Sequence, residues 1–174
     1  MQSIKPYVSL NTLKMIYYSY FHSVMTYGLL LWGHSSDRIK IISLHKKILR
    51  IMVGCRSSDS CKKLFFLNLE ILPLPFQYIL SLLLFMIRNR NQFLVSSEIY
   101  HIDTKQHANF HQLPVNSSRY QKGVNYLGVK VFNMVPSYIK IESDNPKEFK
   151  SILQKFLCEN SFYSMDEYFE LQKS

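Results

Sequence analysis

A mainly α-helical protein, folded as an irregular bundle of about five or six helices with a long loop or short β-strands around residues 95–122, is what this sequence predicts. Three observations carry the expectation. Apolar residues recur at three-and-four spacing in several separate stretches, the period of an amphipathic helix. Glycine, proline and asparagine fall between those stretches, where caps and turns need them. Twelve Tyr and twelve Phe against five Gly, within 47% apolar content, suit a packed and aromatic-rich core.

The stretch from Leu10 to Gly54 organises the rest and reads as two consecutive amphipathic helices joined by a tight turn. In the first, Leu13, Ile16, Tyr17, Tyr20, Val24, Tyr27 and Leu31 form the apolar face, with Thr12, Ser19, His22, Ser23 and Thr26 on the other side. Gly28 interrupts it near its end. Trp32-Gly33 then supplies a stop and His34-Ser35-Ser36-Asp37 a new N-cap, which puts the turn near residues 33–36. From Asp37 the second helix buries Ile41, Leu44, Ile48, Leu49 and Met52, and Gly54 stands where a C-cap is expected. Its opposite face carries Lys40, Ser43, Lys46, Lys47 and Arg50. Cations so arranged can follow a phosphate backbone without reading bases; the alternative is a merely solvated face.

After a polar loop at Arg56–Ser60, a short helix is expected from Ser60 through Leu67. Leu72-Pro73-Leu74-Pro75 breaks the chain and starts a helix at Phe76 that runs to Arg88, with Asn89-Arg90-Asn91 ending it. Between Val95 and Lys122 the periodicity disappears. Lys105, Arg119 and Lys122 alternate there with Tyr100, Phe110 and Tyr120, a mixture that suits single-stranded nucleic acid through stacking on rings and phosphate contacts to cations. A plain surface loop is the other reading. Helical spacing returns over Val124–Val135, with Tyr126, Val129, Phe132 and Asn133 ahead of a stop at Pro136. Asp144-Asn145-Pro146 opens the last long helix, whose stripe is Phe149, Ile152, Leu153, Phe156 and Leu157 and which Asn160 closes. Met165–Leu171 adds a short amphipathic turn or two.

The net charge of +9 is uneven. Residues 1–123 hold 15 Lys and Arg against 5 Asp and Glu, whereas residues 124–174 hold 6 against 7. This balance points to a polyanion partner or an acidic membrane surface. The longest apolar run, Phe76 to Ile87, falls short of the ~20 residues that a spanning helix needs. The first residues lack a secretory pattern, so a cytoplasmic or nuclear, intracellular location is expected. Cys55, Cys61 and Cys158 leave an odd number, and reduced thiols are expected.

One string, Leu13-x2-Ile16-Tyr17-x3-Phe21-x-Ser23-x3-Tyr27-Gly28-x3-Trp32-Gly33 followed by Leu44-x-Lys46-Lys47-x2-Arg50, resembles the region after the catalytic palm in non-LTR (LINE, jockey-like) retrotransposon reverse transcriptases. The similarity continues through Cys61-Lys62-x2-Phe65-x3-Leu69-x-Ile71-Leu72-x-Leu74-Pro75, through His101-x2-Thr104-Lys105, and through Tyr126-x-Gly128-Val129-Lys130-Val131-Phe132-Asn133-x2-Pro136-x2-Ile139-Lys140. It ends in Phe149-Lys150-x2-Leu153-x3-Leu157 and Phe162-Tyr163-Ser164-x-Asp166-Glu167. Lys105 stands where relatives often carry Arg, and a lysine lacks the planar bidentate fork.

The resemblance implies a thumb-like helical domain with a basic face over 1–94, a basic and aromatic loop over 95–122 and a C-terminal helical segment over 123–174. Its implied partners are template RNA, RNA–DNA duplex and the palm and fingers of the parent polymerase, with self-association through the palm-facing surface when these are missing. Lys46, Lys47 and Arg50 would meet phosphates, joined by Lys40, Arg88, Arg90, Arg119 and Lys122, and Tyr100, Phe110 and Tyr120 are candidates for base stacking. The parent family is an RNA-directed DNA polymerase whose carboxylates, in Tyr-x-Asp-Asp, hold two Mg2+ ions. This chain has no adjacent aspartates, so any Mg2+ would belong to a palm outside it and catalysis by this chain alone is not expected. Cys55-x5-Cys61 and His101-x5-His107-x3-His111 do not follow a zinc pattern, and no cofactor is expected. Two other readings remain open on residues alone: a non-enzymatic helical protein-interaction module or transposon-derived remnant, and a peripheral membrane domain using the same basic face.

Overall fold

The computed structural model describes residues 5–56, 69, 71–95, 109–160 and 165–170. They are mainly helical, as the periodicity predicts. The expected helix over Ser60–Leu67 lies outside the described residues, as do Tyr100, Cys61, His101, Lys105 and His107. The chain divides into two compact units, Met1–Gln77 and Tyr78–Ser174.

In the first unit α1 spans Leu10–Ile16, with the Ser9 hydroxyl accepting a hydrogen bond from the Thr12 N–H, the side-chain capping that replaces a missing helical partner. The helix continues as a π-helical turn over Tyr17–His22 and then α2, Ser23–Thr26. Tyr27 turns extended and Gly28 takes φ 62°, a left-handed conformation open to glycine. A short α3, Leu29–Trp32, follows, and α4 runs from Arg38 to Val53. Gly54 closes α4 at φ 85°, donating its N–H to the Arg50 carbonyl, as its position predicts.

The buried side of this first hairpin differs from the sequence expectation. Leu13, Tyr17, Met25 and Leu29 are buried, with Phe21 half-buried between them, whereas Tyr20, Val24, Tyr27 and Leu31 are 73–86% exposed. The cause is the π turn. Buried residues recur at strict intervals of four, and each such step overshoots an α-helical turn by about 40°. The wider i→i+5 turn absorbs part of that drift, and the break at Tyr27–Gly28 redirects the backbone before Leu29. In α4 the buried residues are His45, Leu49 and Met52, and Leu44 is exposed. The core joins Leu13, Tyr17, Leu49, Met52, Leu69 and Ile71.

Helix α5 spans Leu74–Arg88, and its residues from Tyr78 on belong to the second unit, where Tyr78, Ile79, Leu82, Leu83 and Met86 are buried. It has the all-round apolarity of a core helix. A 3-10 turn at Arg90–Gln92 ends it. Val95 and Phe110 form an isolated antiparallel bridge, and the His111 N–H donates to the Leu94 carbonyl at 2.8 Å. This bridge is where short strands are expected. A four-residue α6, Ser118–Gln121, also interrupts the expected loop.

Next comes α7, Val124–Asn133, and after Pro136 comes α8, Ser137–Ile141, which the periodicity does not reveal. Helix α9, Pro146–Asn160, begins and ends where expected and buries Phe149, Leu153 and Leu157. Asn145 caps it by accepting from the Lys147 and Glu148 N–H groups, and its side-chain amide donates to the Glu148 carboxylate. Met165–Glu170 forms α10, whose Tyr168 hydroxyl donates to the Val131 carbonyl.

Candidate nucleic-acid interface

Helix α4 presents its cations as the spacing predicts. With His45, Leu49 and Met52 facing inward, Lys40, Lys46, Lys47 and Arg50 fall within about a third of the circumference on the opposite side. Lys40 and Lys47 are exposed, and Lys46 and Arg50 are half-buried. Long cationic side chains can lay their stems along apolar surface, and the Arg50 Nε is buried. Lys40 donates to Asp37 at 2.9 Å, a solvated pair that adds little stability and partly offsets its charge. Asp37 therefore spends its carboxylate on Lys40; no side-chain capping bond forms at the α4 N-terminus.

Charge around this helix is one-sided. The first 58 residues contain eight Lys and Arg and a single acid, Asp37. Ile39 and Leu44 lie exposed on α4 beside the cations. The helix is anchored from below by a buried polar contact, where the Tyr17 hydroxyl meets His45 Nε2 at 2.8 Å with the rings stacked. Burial, reinforced by the nearby His22, pushes the His45 imidazole down to about 3. Burial likewise pushes the Tyr17 phenol well above its ordinary range, with Tyr18 adding to the effect. Both groups are neutral at physiological pH and act in positioning α4 rather than in proton transfer.

The other expected phosphate contacts belong to the second unit. Arg88 is exposed at the end of α5, and Lys122 is exposed after α6, on which Arg119 also lies. Arg90 is tethered: it donates to Asp144 at 2.6 Å and to the Ser143 hydroxyl at 3.1 Å. That ion pair links the end of α5 to the turn before α9 and partly offsets the Arg90 charge.

Of the candidate stacking residues, Tyr120 is more than half exposed. Phe110 is 2% exposed and lies against Phe93 and Phe132. The Asn133 amide holds its backbone on both sides, at 2.9 and 2.8 Å. Phe110 thus serves the core, and its rings contacts leave no face for a base. Lys140 locks the same segment, donating to Asn109 and to the Asn133 carbonyl, each at 2.7 Å. Burial lowers its ammonium to about 8.

A surface cleft that the periodicity does not reveal lies beside this clamp. Its two lobes, of about 490 and 210 Å³, share Tyr120, Asn125 and Tyr126. Spacing places Tyr126 on the buried stripe of its helix, and only the position of the Phe93–Leu94 and His111–Leu113 segments opposite turns it into a wall. Among the described residues no three His, Cys, Asp or Glu side chains converge as metal ligands, and no helix is long and apolar enough to cross a membrane. The Cys158 thiol is half-buried, and burial followed by the adjacent Glu159 raises it, which lowers its nucleophilic character. No family model, curated protein or solved structure matches this chain.

Proposed function

We propose that this chain is a nucleic-acid-binding thumb and C-terminal region of a non-LTR retrotransposon RNA-directed DNA polymerase, gripping template RNA and RNA–DNA duplex without performing nucleotidyl transfer itself. The observation that carries the reading is the α4 face, where Lys46, Lys47 and Arg50 stand opposite the buried side in a segment almost free of acids. Binding through such a face is sequence-independent, tight at low salt and lost steeply as salt rises. The palm and fingers of the parent polymerase would cover the apolar residues that the first hairpin exposes. The same exposed residues favour a second reading, a helical protein-interaction module with no retained activity, and recovery of a protein partner after nuclease treatment would support it.

The test is a salt titration of RNA and RNA–DNA duplex binding by the intact chain and by a Lys46→Glu, Lys47→Glu, Arg50→Glu variant whose helicity is checked by circular dichroism. We expect affinity to fall at least about tenfold and the log–log salt slope to shrink by about 2 for single strands, the loss of three phosphate contacts. Unchanged affinity and slope would reduce this face to solvated charge.

A further inference from the structure

We propose that the cleft between the Phe93–Leu94 and His111–Leu113 segments and the α6–α7 junction is a nucleobase pocket, holding an unpaired base of a single strand. The inference rests on the nucleic-acid reading above for its ligand class and on the second unit alone for its geometry.

The walls are fixed before any ligand arrives. One is the bridged pair of segments at Val95 and Phe110, clamped by the Asn133 amide. The other is α6 and the first turn of α7, where Gln121 donates to the Val115 carbonyl at 2.7 Å and so ties the connecting loop to α6. Between them the two lobes meet at Tyr120, Asn125 and Tyr126. Walls held in place this way can receive a base without the ordering cost that a mobile loop incurs.

The lining chemistry selects the ligand. Tyr120 and Tyr126 offer flat faces, and Phe93 adds apolar contact at the base of the smaller lobe. Gln112 and Asn125 line the same space, and their carboxamides hydrogen-bond to no described residue. A carboxamide presents a donor and an acceptor side by side, which matches the edge of a nucleobase and is unneeded by a purely apolar guest. No carboxylate lines either lobe, and Lys122, exposed in the chain between Tyr120 and Gly123, supplies a cation for the adjoining phosphate. A duplex cannot use this arrangement, because its bases are already stacked and paired. The smaller lobe suits one ring system, and the larger leaves room for the neighbouring nucleotide.

The experiment is photocrosslinking of the full chain to oligo(U) carrying thiouridine, with the attached peptide identified by mass spectrometry. In parallel, oligo(U) and RNA–DNA duplex affinities are measured for Tyr120→Ala, for Gln112→Ala with Asn125→Ala, and for the α4 charge-reversal variant. We expect attachment at the peptide containing Tyr120 and Tyr126, and oligo(U) binding weakened about fivefold or more by Tyr120→Ala with duplex binding unchanged. Tyr120 is exposed, so its replacement tests binding without testing folding; the amide variant gives a second, milder probe. Oligo(U) affinity unmoved by both cleft variants, with attachment elsewhere, overturns the pocket while an effect of α4 charge reversal keeps the phosphate-binding reading. Loss of oligo(U) binding in the cleft variants alone keeps the pocket and sinks the α4 reading. A chain that binds neither probe sinks both.

Discussion

The Tyr17 hydroxyl and His45 Nε2 meet in the middle of the first unit, at 0% and 1% exposure. Burying two polar side chains is tolerable because each satisfies the other, and deleting one hydroxyl strands its partner's bond. Tyr17→Phe should therefore cost about 1–3 kcal/mol in chemical denaturation. The pH response follows from the imidazole. Its folded value of about 3 lies below the ordinary 6.5, so as pH falls the unfolded chain takes up this proton first. Its contribution is complete above about 6.5 and declines progressively toward about 3. His22, also lowered by burial, acts in the same direction. We expect the urea midpoint to drop from neutral pH to about pH 4, and the drop to be shallower in His45→Gln, which does not titrate there. Equal slopes for the two proteins would remove His45 from the account. Nothing in the sequence marks this residue: a histidine preceding Lys46 and Lys47 reads as part of a polar face, and only the position of Tyr17 one helix away makes it core.

At the scale of elements, helices with local signals were legible and those whose signals depend on a distant partner were not. Helix α9 is written in its own residues, with Asn145, Pro146 and Glu148 at the start and Phe149, Leu153 and Leu157 along one side. Helix α4 is likewise bounded by Asp37 and Gly54. The first hairpin carries two apolar stripes, and helical periodicity alone cannot say which one is buried. Tyr20, Val24, Tyr27 and Leu31 fit an uninterrupted α-helix better, yet the π turn at Tyr17–His22 brings Leu13, Tyr17, Met25 and Leu29 inward. Serine and threonine accompany this change: Ser19, Ser23 and Thr26 each donate to the carbonyl four residues earlier, a back-bonding that loosens and bends helices. Alanine replacements separate the two stripes. Leu13→Ala and Met25→Ala should each cost about 2–5 kcal/mol, whereas Tyr20→Ala and Val24→Ala should stay within about 0.5 kcal/mol of the parent. The reverse ranking in denaturant melts would mean that the helix is regular and the expected stripe is the buried one.

At the scale of the whole molecule, charge and exposed apolar surface are concentrated in the same part of the chain. Of fifteen large apolar side chains exposed among the described residues, ten lie between Tyr7 and Leu44, and the segment up to residue 58 holds eight cations against one acid. Exposed apolar side chains that come together on one surface mark an interaction site or drive association. Here the two properties oppose each other, because a net charge of +9 repels a second copy. Salt shortens the reach of that repulsion from about 10 Å at 0.1 M to about 3 Å at 1 M and leaves apolar attraction in place. Self-association should consequently rise with salt over the range in which nucleic-acid binding falls. The α4 charge-reversal variant, whose net charge drops to +3, should associate already at low salt, and Tyr20→Ser with Leu31→Ser should suppress association in either background. Light scattering across protein concentration and salt decides the matter. A monodisperse monomer at high salt and high concentration would show that these residues do not act together as a contact surface. Association that weakens with added salt would assign the contact to charge instead, and the basic face would then be meeting acidic groups of a second copy.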